Sequence, residues 1–240
     1  MQKIPRIIHQ IWSGIDGPLP NYFKQLGDTW KRDYPDWEYI LWDNERMNDF
    51  VNTYFPQYKN IYFRFPYNVQ RWDAIRYLIL YKIGGMYVDF DYESIESIER
   101  IIENETCCFA EEPLSKRDIL NFKRVDKMFN NALMLSTPEH PFMGKILDKV
   151  FQEENLLCND PKAVCVLKTT GPWMLVNTYN ELNPFEKANV HLIPVRYVTP
   201  FNIDQARRFL SGDRSDELEN CLSDAYAVHY FFGGWRKGEK

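Results

Sequence analysis

Over the first 90 residues the apolar positions alternate between two rhythms. Ile4–Trp12 is a short apolar run between a basic start and the turn-rich stretch Ser13–Pro20, which predicts a buried first strand. Asn21–Tyr34 sets Tyr22, Phe23, Leu26 and Trp30 at helical spacing, and Pro35 ends it. Trp37–Trp42 predicts a second strand and Arg46–Phe55 a short helix. Asn68–Ile83 carries the clearest helical pattern: Val69, Trp72, Ile75, Leu78, Ile79 and Ile83 keep the 3.6-residue period, and Gly84-Gly85 supplies a stop. Met86–Phe90 then reads as a buried strand. This alternation predicts an α/β domain with a central, mostly parallel sheet flanked by helices. Downstream, strands are expected at Cys107–Ala110, Ala132–Leu135, Val190–Pro194 and Ala225–Phe231, and helices at Phe142–Phe151 and Pro172–Leu182. No internal repeat or low-complexity linker interrupts the chain, so residues 1–240 are read as one domain.

Composition narrows the class without changing that picture. With 45% hydrophobic and 26% charged residues, the chain is neither disordered, collagen-like nor a coiled coil. A net charge of −5 argues against a general attraction to nucleic acid. No run of 18 apolar residues is present, so no membrane-spanning helix is expected. The start, MQKIPRIIHQIW, is broken by Arg6, His9 and Gln10 and does not read as a signal peptide. The expectation is a cytoplasmic protein, with peripheral contact at the inner face of a membrane left open. Five cysteines without a CxxC pair predict buried free thiols rather than a zinc site.

Chemistry concentrates in Arg71–Glu93, RWDAIRYLILYKIGGMYVDFDYE. Asp89 and Asp91 close a strand-like run, where residues i and i+2 point to one side. Ligands of open α/β sheets bind beyond the carboxyl ends of the strands. Two carboxylates there form a hard-oxygen site for Mg²⁺ or Mn²⁺, able to bridge a diphosphate. Taken alone, the pair is equally consistent with two solvated acids in a turn. Asp73, Arg76 and Tyr77 share a face of the preceding helix. An Asp–Arg pair at that spacing is commonly a surface brace contributing about 0–1 kcal/mol. On that basis, replacing Arg76 should leave the melting temperature nearly unchanged. Beside a sugar nucleotide the same two side chains would hold hydroxyls and phosphate oxygens. Asn130-Asn131 is a second candidate for sugar hydroxyls, with a turn as the alternative; Glu111-Glu112-Pro113 reads as a solvated edge that could also face an acceptor. Gly171-Pro172 marks a helix start, and Lys237 and Lys240 a solvated tail.

Taken together, Asp73, Arg76, Gly84, Gly85, Tyr87, Asp89 and Asp91 resemble the signature of DXD-containing glycosyltransferases of GT-A fold. The likeness is to glycosyltransferase family 32, with its capsular polysaccharide and initiating mannosyltransferase members, and the block also occurs in large clostridial glucosylating toxins. Ile4–Trp12, Trp30–Asp43 and Ala227–Trp235 resemble further family segments. The resemblance covers residues 4–91 well and the rest loosely. It implies a nucleotide-sugar-binding half over about residues 1–110 and an acceptor-side half over about 111–240. It implies a metal held by Asp91 with Asp89 and His229. It implies a donor sugar held by Asp73 and Arg76, and a base stacked on Trp12 near His9 and Gln10. Gly85, Tyr87 and Asn131 would border the nucleotide sugar and Trp235 would close over the diphosphate. Gly233-Gly234 stands where a serine often precedes that tryptophan. The implied reaction is metal-dependent hexosyl transfer with retention, from a UDP- or GDP-hexose to a saccharide or lipid-linked saccharide. Bacterial surface or capsular polysaccharide synthesis is the expected setting. Two rivals stay in view: a catalytically silent sugar-nucleotide or carbohydrate binder, and a D-x-D phosphatase. Glu93 at the fifth position and the late place of the motif argue against the phosphatase.

Overall fold

The computed structural model describes residues 3–114 and 127–233. Its strands are β1 (Ile7–Ile11), β2 (Glu38–Trp42), β3 (Gly85–Val88), β4 (Tyr92–Ser94), β5 (Cys107–Glu112), β6 (Met128–Ser136), β7 (His191–Ile193) and β8 (Ala227–His229). The helices that matter below are α1 (Asn21–Asp33), α2 (Asn44–Tyr54), α3 (Lys59–Arg64), α4 (Asn68–Lys82), α5 (Glu99–Ile102), α6 (Pro141–Val150), α7 (Lys162–Thr169) and α8 (Pro172–Asn180). Six strands form one sheet in the order β2-β1-β3-β6-β5-β7. β1 runs parallel to β2 and β3, β5 parallel to β7, and β6 antiparallel to both of its neighbours. The sheet is therefore mostly parallel, as its alternating sequence predicted, and β6 is its reversed member.

Side chains on β3 and β6 separate by the two-residue period of a strand. Met86, Val88, Leu133 and Leu135 face one core with Trp30 of α1, whereas Tyr87 and Met134 face the other with α4. α4 is buried on nearly all sides, with ten of its fifteen residues enclosed. Gly85 sits at φ +100°, and a Cβ there would come within 2.6 Å of the Ile7 carbonyl. Glycine is thus required for β3 to lie this close to β1.

Three expectations need correction. The strand carrying the acids ends at Val88, and Asp89–Asp91 form a turn closed by Tyr92 N–H donating to Asp89 O at 3.1 Å. The two acids share a side because of that turn, not because of strand alternation. The late strand Ala227–His229 joins β4 in a separate two-stranded ribbon, setting His229 opposite Tyr92. Cys158 and Cys165 are joined in a disulfide, while Cys107, Cys108 and Cys221 are free. No helix among the described residues is long and apolar enough to cross a membrane.

Candidate active site

A cavity of about 940 Å³ opens beyond the carboxyl ends of β1 and β3, bordered by Trp12, the Asp89–Asp91 turn and one face of α4. That is the position expected for a ligand of an α/β sheet. Two polar clusters meet in it.

The first is centred on Arg76, whose side chain is only 8% exposed. Its guanidinium contacts Asp73 Oδ1 at 3.2 Å and Asp89 Oδ1 at 3.2 Å. It also donates to the carbonyls of Asn131 at 2.9 Å and Trp72 at 3.2 Å, and lies 4.6 Å from the Tyr87 ring centre. Asp73 additionally accepts from Asn131 Nδ2 and from Thr170 Oγ1. Burial pushes the Asp73 carboxyl up to about 6, against the pull of Arg76. The pair is therefore no surface brace. Removing Arg76 would leave the buried Asp73 and the partly exposed Asp89 without their shared counter-charge, so a loss of stability is expected in place of an unchanged melting temperature.

The second cluster is the turn. Burial and then the neighbouring Asp91 raise the Asp89 carboxyl, although Arg76 and the Tyr87 hydroxyl hold its charged form. Burial also pushes Asp91 upward, but the His229 imidazole and the Phe232 N–H outweigh it and leave Asp91 below the usual carboxylate range. His229 Nε2 lies 3.3 Å from Asp91, and the Phe232 N–H donates to Asp91 at 3.0 Å. The His229 ring stacks on Tyr92 at 4.4 Å, with Glu112 3.8 Å from its Nδ1. Burial lowers His229, but Asp91 together with Glu112 and Asp89 raises it above its ordinary value.

Among the described residues, Asp73, Asp89 and Asp91 outnumber Arg76 and His229, so they keep excess negative charge even with the imidazole protonated. Carboxylate oxygens and an imidazole suit a hard or borderline divalent cation, and the uncompensated charge is what such an ion would neutralise. Among the described residues no three acid, His or Cys side chains already form a metal cage. The donor set therefore fits an ion that shares its coordination with ligand oxygens.

The remaining sequence-predicted residues divide cleanly. Trp12, Tyr87 and Asn131 border the cavity. Trp12 donates its indole N–H to Gly17 O and meets Phe90 edge-on at 6.2 Å. His9, Gln10 and Gly85 lie beneath the cavity instead of bordering it. His9 accepts from Trp42 Nε1 and donates to Gly84 O, while Gln10 donates to Val88 O and accepts from Tyr39. Both hold β3 in place. Asn130 is occupied by Tyr92 and by the backbone of β6. Glu112 lines the cavity, whereas Glu111 pairs with Lys127. Trp235, Lys237 and Lys240 lie outside the described residues.

Sequence reasoning missed Thr170, Phe232 and Gly27. Thr170 and Phe232 reach the acids only through tertiary folding, and nothing local announces them. Gly27 had a signal, a glycine inside a helical pattern. A Cβ there would come within 2.8 Å of both the Phe90 ring and Gln10 Oε1. It leaves room for the middle residue of the acidic turn.

Residues 20–108 match the family model described as the glycosyltransferase sugar-binding region containing the DXD motif. The chain is 31% identical over 147 residues to inositol phosphoceramide mannosyltransferase 1 of Schizosaccharomyces pombe, covering 60% of this chain and 41% of that one. It is 26% identical over 244 residues to mannosyl phosphorylinositol ceramide synthase CSH1 of Saccharomyces cerevisiae, covering 97% of this chain and 60% of that one. The chain thus spans less than two thirds of the length of these relatives. Among solved structures, the PaToxG glycosyltransferase superposes with a TM-score of 0.56 at 15% identity, covering 93% of this chain and 89% of that one. The ligand-free glycosyltransferase domain of the YGT toxin gives 0.52 at 13% identity, over 92% and 88%. Residues 20–108 are therefore similar to the DXD-containing glycosyltransferase sugar-binding region, within a fold shared with GT-A glycosyltransferases.

Proposed function

We propose that the protein transfers a hexose from a nucleoside diphosphate sugar, a UDP- or GDP-hexose, to a hydroxyl acceptor, with a divalent cation in place. The observation that carries this is Arg76 bridging Asp73 to Asp89 at the wall of a cavity that also holds Asp91 and His229. Mannose is the favoured sugar, because the relatives are named for mannosyl transfer. Their names also favour a phosphoinositol-lipid acceptor over a capsular polysaccharide, and those relatives are fungal, which weakens the bacterial setting. A location at the cytoplasmic face of a membrane remains part of the proposal.

Asp91, Asp89 and His229 would hold the ion. Bound Mg²⁺ or Mn²⁺ would neutralise negative charge on the departing diphosphate. Asp73 and the Asn131 Oδ1 offer acceptors for sugar hydroxyls, and Arg76 a fixed positive charge between sugar and diphosphate. Trp12 offers an indole face to the base. Because the Arg76 network is held on all sides, its charge needs no reorganisation as the bond breaks. Transfer with retention would let the leaving diphosphate take the acceptor proton, with protein groups supplying orientation.

The test is hydrolysis and transfer from GDP-mannose, UDP-glucose and UDP-galactose with Mn²⁺ and with EDTA. Turnover of one donor that needs Mn²⁺ is expected. Binding without turnover of any donor would favour the silent carbohydrate binder.

A further inference from the structure

α4 presents Arg76, Asp73, Trp72 and Val69 to the cavity in that order away from the acidic turn. At the rise of an α-helix, Asp73 lies about 4.5 Å, Trp72 about 6 Å and Val69 about 10 Å along the axis from Arg76. If the diphosphate sits at Asp89 and the donor sugar at Arg76 and Asp73, the next space along the helix is bordered by Trp72. Leu167 and Trp173 also line the cavity. Trp72 is half-buried, and its Nε1–H is shielded from solvent with no hydrogen-bond partner among the described residues. An unpartnered buried donor costs stability. What this side chain offers the cavity is therefore ring surface and not its polar edge.

We infer that Trp72 forms the acceptor subsite and takes a polyhydroxylated six-membered ring, of the inositol or hexose kind, the apolar face of the ring packed on the indole. The inference rests on the glycosyltransferase reading. Transfer requires the acceptor hydroxyl to touch the anomeric carbon of the donor sugar, so the ring bearing that hydroxyl occupies the adjoining space. A long apolar tail would have to place its reactive end beside Asp73 and extend away; the ring itself remains the group at Trp72. Aromatic side chains combine a large apolar face with little conformational freedom, which suits packing on a sugar ring.

The test measures binding of methyl α-D-mannopyranoside by saturation-transfer NMR, with GDP or UDP and Mn²⁺ present. Wild type, Trp72→Ala and Trp72→Phe are compared, and Trp72→Leu carries the test if the alanine variant does not fold. The glycoside should weaken by at least about tenfold in the alanine or leucine variant and be largely retained in the phenylalanine variant. Nucleotide affinity should stay within about twofold of wild type. Equal glycoside binding in all variants, or equal weakening of glycoside and nucleotide, overturns the subsite. Binding of an n-octyl glycoside but never of the methyl glycoside overturns it in favour of an apolar tail. Wild-type protein that binds neither nucleotide would instead sink the glycosyltransferase reading itself.

Discussion

Two sets of polar side chains near the β1–β3 seam contrast sharply. On β1, both His9 ring nitrogens and both ends of the Gln10 amide are hydrogen-bonded to protein. At the cavity, Asp73, Asp89 and Asp91 meet only Arg76 and His229 as positive partners among the described residues. The first set is satisfied by the protein itself, whereas the second keeps negative charge that a cation would balance. Closeness to the site in sequence and in space does not make a residue part of it. Whether the protein alone satisfies the side chain is the better criterion.

The contrast breaks most visibly at Asp91. Asp91→Asn should lower transfer by about a thousandfold, roughly 4 kcal/mol of barrier, while leaving the fold intact, as read by initial rates and melting curves. Arg76→Ala should destabilise by about 3–5 kcal/mol, because Asp73 and Asp89 lose the charge between them. Urea unfolding measures this, and a loss under 1 kcal/mol would return the pair to a surface role.

His9 sharpens the other side. Burial holds its pKa at about 4, below the ordinary value of 6.5. As pH falls below 6.5, the unfolded chain binds a proton that the folded chain refuses. Stability from this group is thus complete above pH 6.5 and drains away down to pH 4, by about 3 kcal/mol in all. His9→Gln should flatten that part of the stability–pH curve. Nucleotide affinity in that variant should change only as far as stability does.

Gly27→Ala is expected to have the smallest effect. Alanine gains about 1 kcal/mol in helix propensity, but displacing Phe90 costs about 1–3 kcal/mol. Metal-linked nucleotide affinity should fall, and Gly27→Ala combined with Phe90→Leu should recover part of it. No change in affinity would separate Phe90 packing from the placement of the turn.

Much of the fold was legible because local pattern and global packing agree. The spacing of α1 and α4 and the runs of β1, β2 and β3 each point to one structure. α3 was not anticipated, since six residues after Pro56 carry too little periodicity. The sequence predicts four residues of β6 where the strand spans nine, because its start contains Asn130 and Asn131, which resemble a turn. Within the site, Asp73, Arg76, Asp89 and Asp91 were legible as a spaced motif on adjoining elements. The burial of Arg76 was not, because it depends on Asn131, Asp89 and the wall around them. Thr170 and Phe232 lie 97 and 141 residues from the acids they contact, beyond the reach of any local pattern. The resemblance placed His9 and Gln10 near the base, yet they point to opposite faces of β1, both covered, where Gly84 and Trp42 hold His9 and Val88 and Tyr39 hold Gln10.

The central claim is that the acids of the Asp89–Asp91 turn bind a divalent cation together with a nucleotide. Isothermal titration of GDP and UDP into wild type and Asp91→Asn, each with Mn²⁺ and with EDTA, tests it most directly. The account predicts binding of one nucleotide to wild type that weakens by about a hundredfold in EDTA, and no such metal dependence in the variant. Nucleotide binding of equal strength with and without Mn²⁺ in wild type, or the same metal dependence in Asp91→Asn, would contradict it.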